Sequence, residues 1–325
     1  MNKNKIVVLG PIPRDHIVTH KGEVFEKYGC VTHPVIALAK VLEQEGEVIP
    51  VSHVQKQDEE PIKQLLSGYP SINTDHITSD MDQGDVISLK FVDQNTRLEK
   101  QTAFMNPILP EDVDNLLDAD VFVFVPITDF EVSLDTLKHL RAKSNGLIIF
   151  DAHGPTNTMT VNGDRHHKFW VDRDQWLPYI DVLKMNLEES RFCWFEKEYS
   201  ESALREIEND IGEEHLPDFA EHCMKMGIKA LIVTLDSRGC MVYTQNEGVS
   251  TSEFINAVKV DDVVDTTGCG DSFAGGLAYG FLNGLDHYHK AARFANAFGA
   301  MRTQGSTFDV FKSLKETEEI IKNNY

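Results

Sequence analysis

The residues with the clearest chemical potential lie towards the C-terminal end of the chain. Residues 265–271 read Asp-Thr-Thr-Gly-Cys-Gly-Asp, and an apolar, helix-like segment follows at once. Backbone N–H groups at such a helix start converge without a side-chain barrier and form a concave anion site. A carboxylate at its rim, Asp271, can accept the proton of an attacking hydroxyl. Because phosphoryl transfer needs positioned reactants, neutralised phosphate charge and one base, this run predicts the catalytic turn of a kinase.

Each residue of this run also has an ordinary structural interpretation. Asp271 could be a helix N-cap, and Gly268 and Gly270 could mark a tight turn. Three more glycines lie in the helical pattern that follows: Gly275, Gly276 and Gly280. Each costs about 1 kcal/mol relative to Ala in a helix, so another backbone or a ligand must approach closely there. These three glycines indicate the fold more than catalysis.

Composition restricts the partners. The chain has 325 residues, of which 41% are hydrophobic, and 31 basic against 52 acidic residues give a formal charge of −21. Such a charge repels nucleic acid and anionic membranes, so neither is expected as a partner. A nucleotide site on this chain must rely on local N–H groups, a metal and a few cations.

Cysteine usage and the N-terminus bear on location. The cysteines are odd in number and show no C-x-x-C spacing, which is typical of reduced thiols; they are Cys30, Cys193, Cys223, Cys240 and Cys269. The apolar run at residues 6–9 is too short for a signal-peptide core or a membrane span. We therefore expect a cytoplasmic protein.

Apolar runs of strand length alternate with amphipathic stretches. The predicted strands are 6–10, 48–54, 121–125, 147–151, 182–186 and 231–235. The predicted helices are 34–44, 60–66, 133–143, 202–226 and 287–304. This alternation predicts an α/β fold with a mainly parallel sheet and right-handed crossovers. Ligands of such sheets bind beyond the carboxyl ends of the strands.

Three segments depart from the alternation. Residues 12–28 and 85–104 alternate polar and apolar side chains, which predicts antiparallel strands joined by polar turns such as 93–95. Residues 157–173 fit neither pattern and are interpreted as an insertion that faces a partner or substrate. Its two adjacent histidines, His166 and His167, favour a solvated loop over a metal site.

Residues 265–271 resemble the second motif of the ribokinase-like (PfkB-type) carbohydrate kinases, D-T-x-G-A-G-D, with Cys269 in place of the usual Ala. The resemblance implies one ribokinase-like domain over residues 1–325. Its fold would be a three-layer sandwich with a mainly parallel central sheet and a small antiparallel β lid, formed by 12–28 and 85–104. It also implies that Asp271 is the base, with an anion hole at Gly268, Cys269 and Gly270.

The acceptor end resembles the family less closely. Asp15 stands in the opening turn, where the family uses an Asp to hold two sugar hydroxyls, a role that suits a carboxylate. Residues 28–35 resemble G-G-x-x-x-N-x-A, but only Gly29 survives, His33 replaces the Asn and Tyr28 replaces the first Gly. The resemblance implies that Asp15, Gly29 and His33 bind the substrate. Asp15 as a solvated turn residue and His33 as a helix-entry residue are the alternatives, and Tyr28 would narrow the pocket or stack on a base.

At the donor end, Asn186 and Glu189 resemble N-x-x-E, which organises Mg²⁺ largely through water. Magnesium prefers carboxylates and retained waters, and a helix capping box is the alternative interpretation. The resemblance therefore implies that Asn186 contacts the nucleotide and that Glu189 serves the metal.

Residues 234–239 resemble T-x-G-x-x-G, which approaches the ATP phosphates. Thr234 and Gly239 match, but Asp236 stands where the family has Gly and places a negative charge near the triphosphate. Arg238 could offset this charge, or Asp236 could cap the turn. Asn296 resembles the contact beside the adenine, with a solvated helix residue as the alternative.

Asp265 and Thr267 match residues that hold a monovalent cation in relatives, so the resemblance implies ATP and Mg²⁺, with K⁺ as a further cation. We expect ATP-dependent phosphorylation of a primary hydroxyl on a sugar or sugar-like alcohol. The alternatives are a nucleoside or vitamin-alcohol kinase of the same fold and a non-catalytic sugar or nucleotide sensor. An exposed lid edge could pair two copies as a homodimer.

Overall fold

The computed structural model describes residues 4–92, 97–195, 212–246, 249–282 and 284–325. The turn predicted at 93–95 and residues 202–211 of the helix predicted at 202–226 lie outside these ranges. Of the described remainder, Leu216–Lys225 is helical, whereas residues 212–215 form a bend and turn, so the prediction was wrong there.

Fifteen strands lie in the described ranges. They are β1 (Asn4–Leu9), β2 (Arg14–Val18), β3 (Val24–Tyr28), β4 (Gly46–His53), β5 (Ile77–Thr78), β6 (Val86–Phe91), β7 (Arg97–Ala103), β8 (Val121–Phe124), β9 (Leu147–Asp151), β10 (Asn157–Met159), β11 (Arg165–His167), β12 (Val182–Asn186), β13 (Ala230–Thr234), β14 (Gly239–Asn246) and β15 (Val249–Asn256). Nine of them form one sheet in the order β15-β14-β13-β12-β9-β8-β1-β4-β5. All of its pairings are parallel except β13/β14 and β14/β15. The mainly parallel sheet expected from the sequence is confirmed.

Helices cover both faces of this sheet. They are α1 (Thr32–Leu42), α2 (Lys56–Leu66), α3 (Pro110–Val113), α4 (Leu134–Lys143), α5 (Arg173–Trp176), α6 (Leu187–Cys193), α7 (Leu216–Lys225), α8 (Cys269–Phe281), α9 (Tyr288–Thr303) and α10 (Leu314–Asn324). Alternate residues of β1 point to opposite faces: Ile6 and Val8 pack with α1, α8 and α9, whereas Val7 and Leu9 pack with α4 and α7. Two cores thus separate three layers. Among the described helices, none has both the length and the apolar character needed to cross a membrane.

A separate four-stranded sheet has the order β3-β2-β6-β7 and comprises the two segments predicted to form a lid. Its outer pairs are antiparallel and its central pair, β2/β6, is parallel, because these two strands come from distant segments that each supply a hairpin. The segment 157–173 contains the hairpin β10/β11. This hairpin lies against the lid, where the backbone N–H of Gln101 donates to the carbonyl of Gly163 at 2.9 Å.

The glycines of α8 are explained by neighbouring backbones. A Cβ on Gly276 would lie 2.5 Å from the Cα of Ala295, and one on Gly280 would lie 2.1 Å from the Cα of Ala291. Gly275 is similarly close to Pro34. Close packing of α8 against α9 and α1 therefore offsets the helix cost of these glycines.

Candidate functional site

The candidate site lies at the carboxyl edge of the central sheet, where ligands of open α/β sheets bind. Asp151, Asn186 and Thr234 are the last residues of the neighbouring strands β9, β12 and β13. The loop that precedes α8 brings Asp271 to the same edge. Topology thus gathers residues that are far apart in the sequence.

The start of α8 is a glycine-lined loop. Gly268 is its N-cap, with a left-handed φ of 80°, and it provides no capping side chain. A Cβ on Gly268 would lie 2.3 Å from His33 Cδ2, and one on Gly270 would lie 3.0 Å from Lys184 Nζ. The first N–H groups of a helix have no intrahelical acceptors. Here the Cys269 N–H already donates to the carbonyl of Thr266 at 3.2 Å, so the N–H groups of Gly268 and Gly270 are the candidates for contact with an anion.

Asp271 lies in the first turn of α8 and is partly buried. Burial raises the pKa of its carboxyl, although the positive charge of Lys184 opposes the shift. Cys30 Sγ lies 3.8 Å from Asp271 Oδ1 and 3.1 Å from the carbonyl oxygen of Val125. Burial also raises the pKa of the Cys269 thiol to about 12, so this thiol is uncharged. Asp271 thus lies beside the glycine-lined turn, and its role as base stays a prediction.

A buried ion pair lies beneath this turn. Lys184 Nζ donates to Asp151 Oδ2 at 2.6 Å, and the two side chains are 5% and 3% exposed. Burial opposes protonation of Lys184, but the charges of Asp151 and Glu189 raise its pKa. The ammonium group is therefore a fixed positive charge next to Gly270.

Glu189 is held in two ways. It forms a capping box with Asn186, in which Glu189 N donates to Asn186 Oδ1 at 2.7 Å and Asn186 N donates to Glu189 Oε2 at 2.8 Å. His153 Nδ1 lies 2.7 Å from Glu189 Oε1. Burial opposes ionisation, yet the hydrogen bond and charge of His153 lower the pKa of Glu189 to about 2. The capping interpretation is confirmed, and the nucleotide and magnesium roles of Asn186 and Glu189 stay predictions.

Asp265 connects the loop to two cations. Its Oδ2 accepts from Lys27 Nζ at 2.8 Å and from the Arg302 guanidinium at 2.9 Å. Its Oδ1 accepts the backbone N–H of Thr267 at 2.9 Å. Burial opposes ionisation of Asp265, but the hydrogen bonds from Lys27 and Thr267 and the nearby charges hold its pKa well below the usual range.

His33 lies in the first turn of α1 and is 3% exposed. Its Nδ1 accepts from Arg302 Nε at 3.2 Å, and its ring packs against Phe308 with 5.2 Å between ring centroids. Burial and the charges of Arg302 and Lys27 lower the pKa of His33 to about 3, so the imidazole is neutral. The imidazole ring packs against Gly268. The predicted contact of His33 with the substrate stays a prediction.

Asp15 lies within β2, not in the turn expected after β1, because the chain enters the lid sheet at Arg14. It is 4% exposed, and its Oδ2 occupies the space beside Gly29, where a Cβ would be only 2.7 Å away. Tyr28 donates its hydroxyl to Asp58 Oδ1 at 3.0 Å. Burial raises the pKa of Tyr28 to about 12. The structure thus brings Asp15 and Gly29 together.

The turn after β13 explains one departure from the family motif. Asp236 has a left-handed φ of 51°, a conformation that favours Gly and is also open to Asp. Its side chain is exposed, and Arg238 pairs with Glu213 at 2.6 Å and not with Asp236. A Cβ on Gly239 would lie 2.0 Å from the carbonyl oxygen of Ile255.

Asn296 is 7% exposed and is not the solvated helix residue considered as an alternative. Its Nδ2 donates to the carbonyl of Asn256 at 2.9 Å and lies 3.1 Å from the hydroxyl of Tyr325. The predicted adenine contact stays a prediction.

A buried polar cluster was not anticipated from the sequence. It consists of Asp85, Gln101, Glu131 and Arg165, to which we refer as the lid polar cluster. Two guanidinium nitrogens of Arg165, Nε and one terminal nitrogen, are buried without a hydrogen-bond partner among the described residues. Gln101 is 1% exposed and lies beside Asp85, whose pKa its side chain helps to lower. Burial raises the pKa of Asp85 to about 6, and burial and the charge of Asp85 raise the pKa of Glu131 well above its usual range.

The lid polar cluster adjoins the site. Arg165, from the hairpin β10/β11, lies 3.5 Å from His153 Nε2 through its terminal nitrogen and pairs with Glu99 at 2.8 Å. Burial and the negative charges of Asp271, Glu131 and Asp85 raise the pKa of the Cys30 thiol well above its usual range. The sequence contains one indication of the lid polar cluster. Gln101 is a polar residue on a lid strand, and it pairs with the buried Ile87 of the neighbouring strand. Within the described segments, no group of three or more His, Cys, Asp or Glu residues could hold a metal ion.

Residues 100–308 match the sequence model of the family described as pfkB family carbohydrate kinase. The 2-dehydro-3-deoxygluconokinase of Bacillus subtilis (strain 168) is 37% identical over 94 residues, which are 29% of this chain and 27% of that protein. The first curated relatives are matched over 23–27% of their own length.

Solved structures agree over nearly the whole chain. A sulfate complex of a pyrophosphate-dependent kinase in the ribokinase family has a TM-score of 0.72 at 18% identity, with 97% of this chain and 99% of that chain covered. Aminoimidazole riboside kinase from Salmonella enterica, complexed with aminoimidazole riboside and an ATP analog, has a TM-score of 0.70 at 17% identity, with 98% and 100% covered. At these identities the likeness shows the ribokinase fold alone.

Proposed function

Since the chain belongs to the pfkB family of carbohydrate kinases, we propose that it transfers the γ-phosphoryl group of ATP to a primary hydroxyl of a sugar or sugar-like alcohol. The observation that carries this proposal is the position of Asp271 in the first turn of α8, beside the bare N-cap Gly268 and above the buried ammonium of Lys184. A base, an anion-binding turn and a fixed cation meet there. That the whole of residues 1–325 acts as one domain is part of the proposal.

On the donor side, we assign Thr234, Gly239 and Asn186 to the nucleotide phosphates and Asn296 to the region of the adenine. The exposed Asp236 lies in the same turn as Gly239, and its side chain is directed to solvent, which moderates its repulsion of a triphosphate. Because one structural neighbour is described as pyrophosphate-dependent, pyrophosphate is the donor to be tested against ATP.

The proposed metal is Mg²⁺. Glu189 is ionised and 2% exposed, and the capping box and His153 already engage its oxygens. Because its oxygens are already engaged, Glu189 would act on Mg²⁺ through water and not as a direct ligand, since Mg²⁺ usually retains several waters. When bound, Mg²⁺ would neutralise charge on the transferring phosphates.

On the acceptor side, Asp15 and Gly29 lie together at the junction of the lid and the central sheet, and His33 supports Gly268 close by. The lid polar cluster adds buried groups that lack partners, and buried polar groups are normally hydrogen-bonded. A polyhydroxylated acceptor would supply the missing hydrogen bonds. We therefore assign its recognition to Asp15 and the lid polar cluster.

The mechanism follows from these positions. The oxygen of the acceptor hydroxyl bonds to the γ-phosphorus of ATP, and Asp271 accepts the proton of that hydroxyl. At the same time the bond between the γ-phosphorus and the bridging oxygen breaks, and ADP leaves. Backbone N–H groups of Gly268 and Gly270 and the charge of Lys184 stabilise the transferring group. The Cys269 N–H would join them only by leaving the carbonyl of Thr266, to which it donates at 3.2 Å. Lid closure would exclude water as a competing acceptor.

The first experiment measures ADP release with Mg-ATP, and phosphate release with pyrophosphate, across sugars, sugar acids, polyols and nucleosides. We expect acceptor-dependent turnover with ATP and a hydroxylated carbohydrate. Turnover confined to nucleosides or vitamin alcohols would favour that alternative. Ligand-induced thermal stabilisation without turnover for any acceptor would favour the sensor.

We also propose that two copies pair through the lid. The edge strand β3 exposes Val24 and Phe25, at 59% and 40%, and exposed apolar edge strands are ready to pair. A Val24→Lys/Phe25→Lys variant should sediment as a monomer where the native protein sediments as a dimer. Met81→Lys alters an equally exposed apolar side chain outside the lid strands and should leave the dimer intact. A native monomer at micromolar concentration would contradict the proposal.

A further inference from the structure

The residues implied for a monovalent cation are Asp265 and Thr267, and their geometry does not fit one. The carboxylate of Asp265 already has a partner on each oxygen: Thr267 N at 2.9 Å on Oδ1, and Lys27 Nζ at 2.8 Å and Arg302 at 2.9 Å on Oδ2. One negative charge thus faces two positive charges. A third cation would be repelled by both, because like charges a few ångströms apart in a partly buried site interact strongly.

Burial and hydrogen bonds to three partners hold the Arg302 side chain in place. It is 1% exposed, although Arg is almost never fully buried unless it is paired. One terminal nitrogen donates to the carbonyl of Gly305 at 2.5 Å, and its Nε donates to His33 Nδ1 at 3.2 Å. The guanidinium thus donates hydrogen bonds to a carboxylate, a backbone carbonyl and an imidazole. Its planar shape and fixed donor directions suit it to holding several acceptors at once.

These contacts link Arg302 to the anion-binding turn by two routes. Through Asp265 it fixes the start of the loop, where Asp265 also accepts the N–H of Thr267. Through His33 it fixes the ring that fills the space beneath Gly268, where a Cβ would lie 2.3 Å away. Both ends of the segment 265–268 therefore depend on one side chain.

We propose that the Arg302 guanidinium, assisted by Lys27, is a built-in substitute for a monovalent cation, so that the anion-binding turn is assembled without K⁺. Arg302 is a positioning residue in this proposal, since it acts through Asp265 and His33. The proposal rests on the proposed kinase function only in its activity readout, because the cation-binding readout needs no turnover.

The first test uses the wild-type protein. Thermal unfolding is followed while KCl replaces tetramethylammonium chloride at constant ionic strength, and turnover is measured in the same buffers once an acceptor is known. We expect no saturable K⁺-specific rise in melting temperature and rates that agree within about twofold, since a group that binds the native state must stabilise it. Saturable stabilisation by K⁺, or turnover that requires K⁺, overturns the proposal.

The second test removes the guanidinium. Arg302→Ala should lose turnover on the order of 100-fold, because a displaced catalytic loop is costly. Added guanidinium chloride at low millimolar concentration, or K⁺, should restore part of that turnover and raise the melting temperature of this variant above the tetramethylammonium control. Loss of activity that neither ion relieves, in a variant that remains folded, assigns Arg302 an ordinary structural role and overturns the proposal.

Arg141→Ala is the matched control. Arg141 pairs with the buried Asp181 at 2.6 Å, away from the anion-binding turn. Its removal should destabilise the protein without creating any response to K⁺ or guanidinium. If Arg302→Ala does not fold, the wild-type titration alone decides, and a wild type that binds no K⁺ yet has no kinase activity separates this inference from the proposed function.

Discussion

Asp271→Asn should reduce turnover on the order of 100-fold or more, with the affinity for the donor unchanged. The amide has the size of the carboxylate and cannot accept the proton of the acceptor hydroxyl. The amide Oδ1 of Asn can still accept from Cys30 Sγ, although more weakly than a carboxylate, so the turn should keep its shape. Steady-state kinetics and donor binding by calorimetry measure the two effects separately.

The pH profile provides an independent check of this role. Burial raises the pKa of Asp271, and the carboxylate is active only when it is deprotonated. The wild-type rate should therefore fall as the pH falls through this raised pKa, at a higher pH than an exposed Asp would give. The residual rate of Asp271→Asn should lack that step.

Asp118→Asn is the matched control for Asp271→Asn. Asp118 is 70% exposed and precedes β8, at the edge of the sheet opposite the site. The Asp118→Asn variant should turn over at the wild-type rate. An Asp271→Asn protein that binds the donor and turns over at the wild-type rate would remove Asp271 from the role of base.

The central sheet could be predicted because its strands are short runs of buried apolar residues. The strand at 147–151 matches β9 and the strand at 182–186 matches β12, since parallel strands buried on both faces are apolar throughout. The glycine-rich turn at the start of α8 could also be located from the sequence, because it lies within seven consecutive residues, and its role in binding an anion stays a prediction. Family membership inferred from that turn is confirmed by the match over residues 100–308.

The ion pairs of the site could not be predicted in the same way. Lys27 meets Asp265 across 238 positions of sequence, and Arg302 reaches His33 across 269. No local pattern reports such contacts, since they depend on how the lid and α9 meet the loop. For the same reason the sequence does not indicate a role for Arg165, since its burial depends on a hairpin that packs against the lid.

Asp236 shows what local physical reasoning adds to a resemblance. In the sequence, Asp236 replaces the Gly of the family motif and is expected to place a negative charge near the donor phosphates. The structure gives that residue a φ of 51°, which accounts for the glycine that the family has there. Asp tolerates this conformation better than most residues, so the turn survives the substitution.

Lys184→Met is the second substitution with a large expected effect. It should lower the free energy of unfolding by about 3–5 kcal/mol, because it leaves Asp151 buried without its cation. It should also lower turnover on the order of 100-fold, since the ammonium next to Gly270 no longer opposes the charge of the transferring phosphoryl group. Urea unfolding and steady-state kinetics measure these effects.

A double variant separates the two effects of Lys184. In Lys184→Met/Asp151→Asn no buried charge is left unpaired, so most of the stability should return, as it does when buried ion pairs are replaced together. Turnover should remain low, because the positive charge beneath the anion-binding turn is still missing. Lys229→Met is the control, since Lys229 is a largely exposed partner of Asp181, which keeps Arg141, and its loss should cost about 1 kcal/mol or less. If the double variant regains both stability and turnover, Lys184 serves the fold alone, and the phosphoryl charge must be met by the backbone N–H groups and the metal.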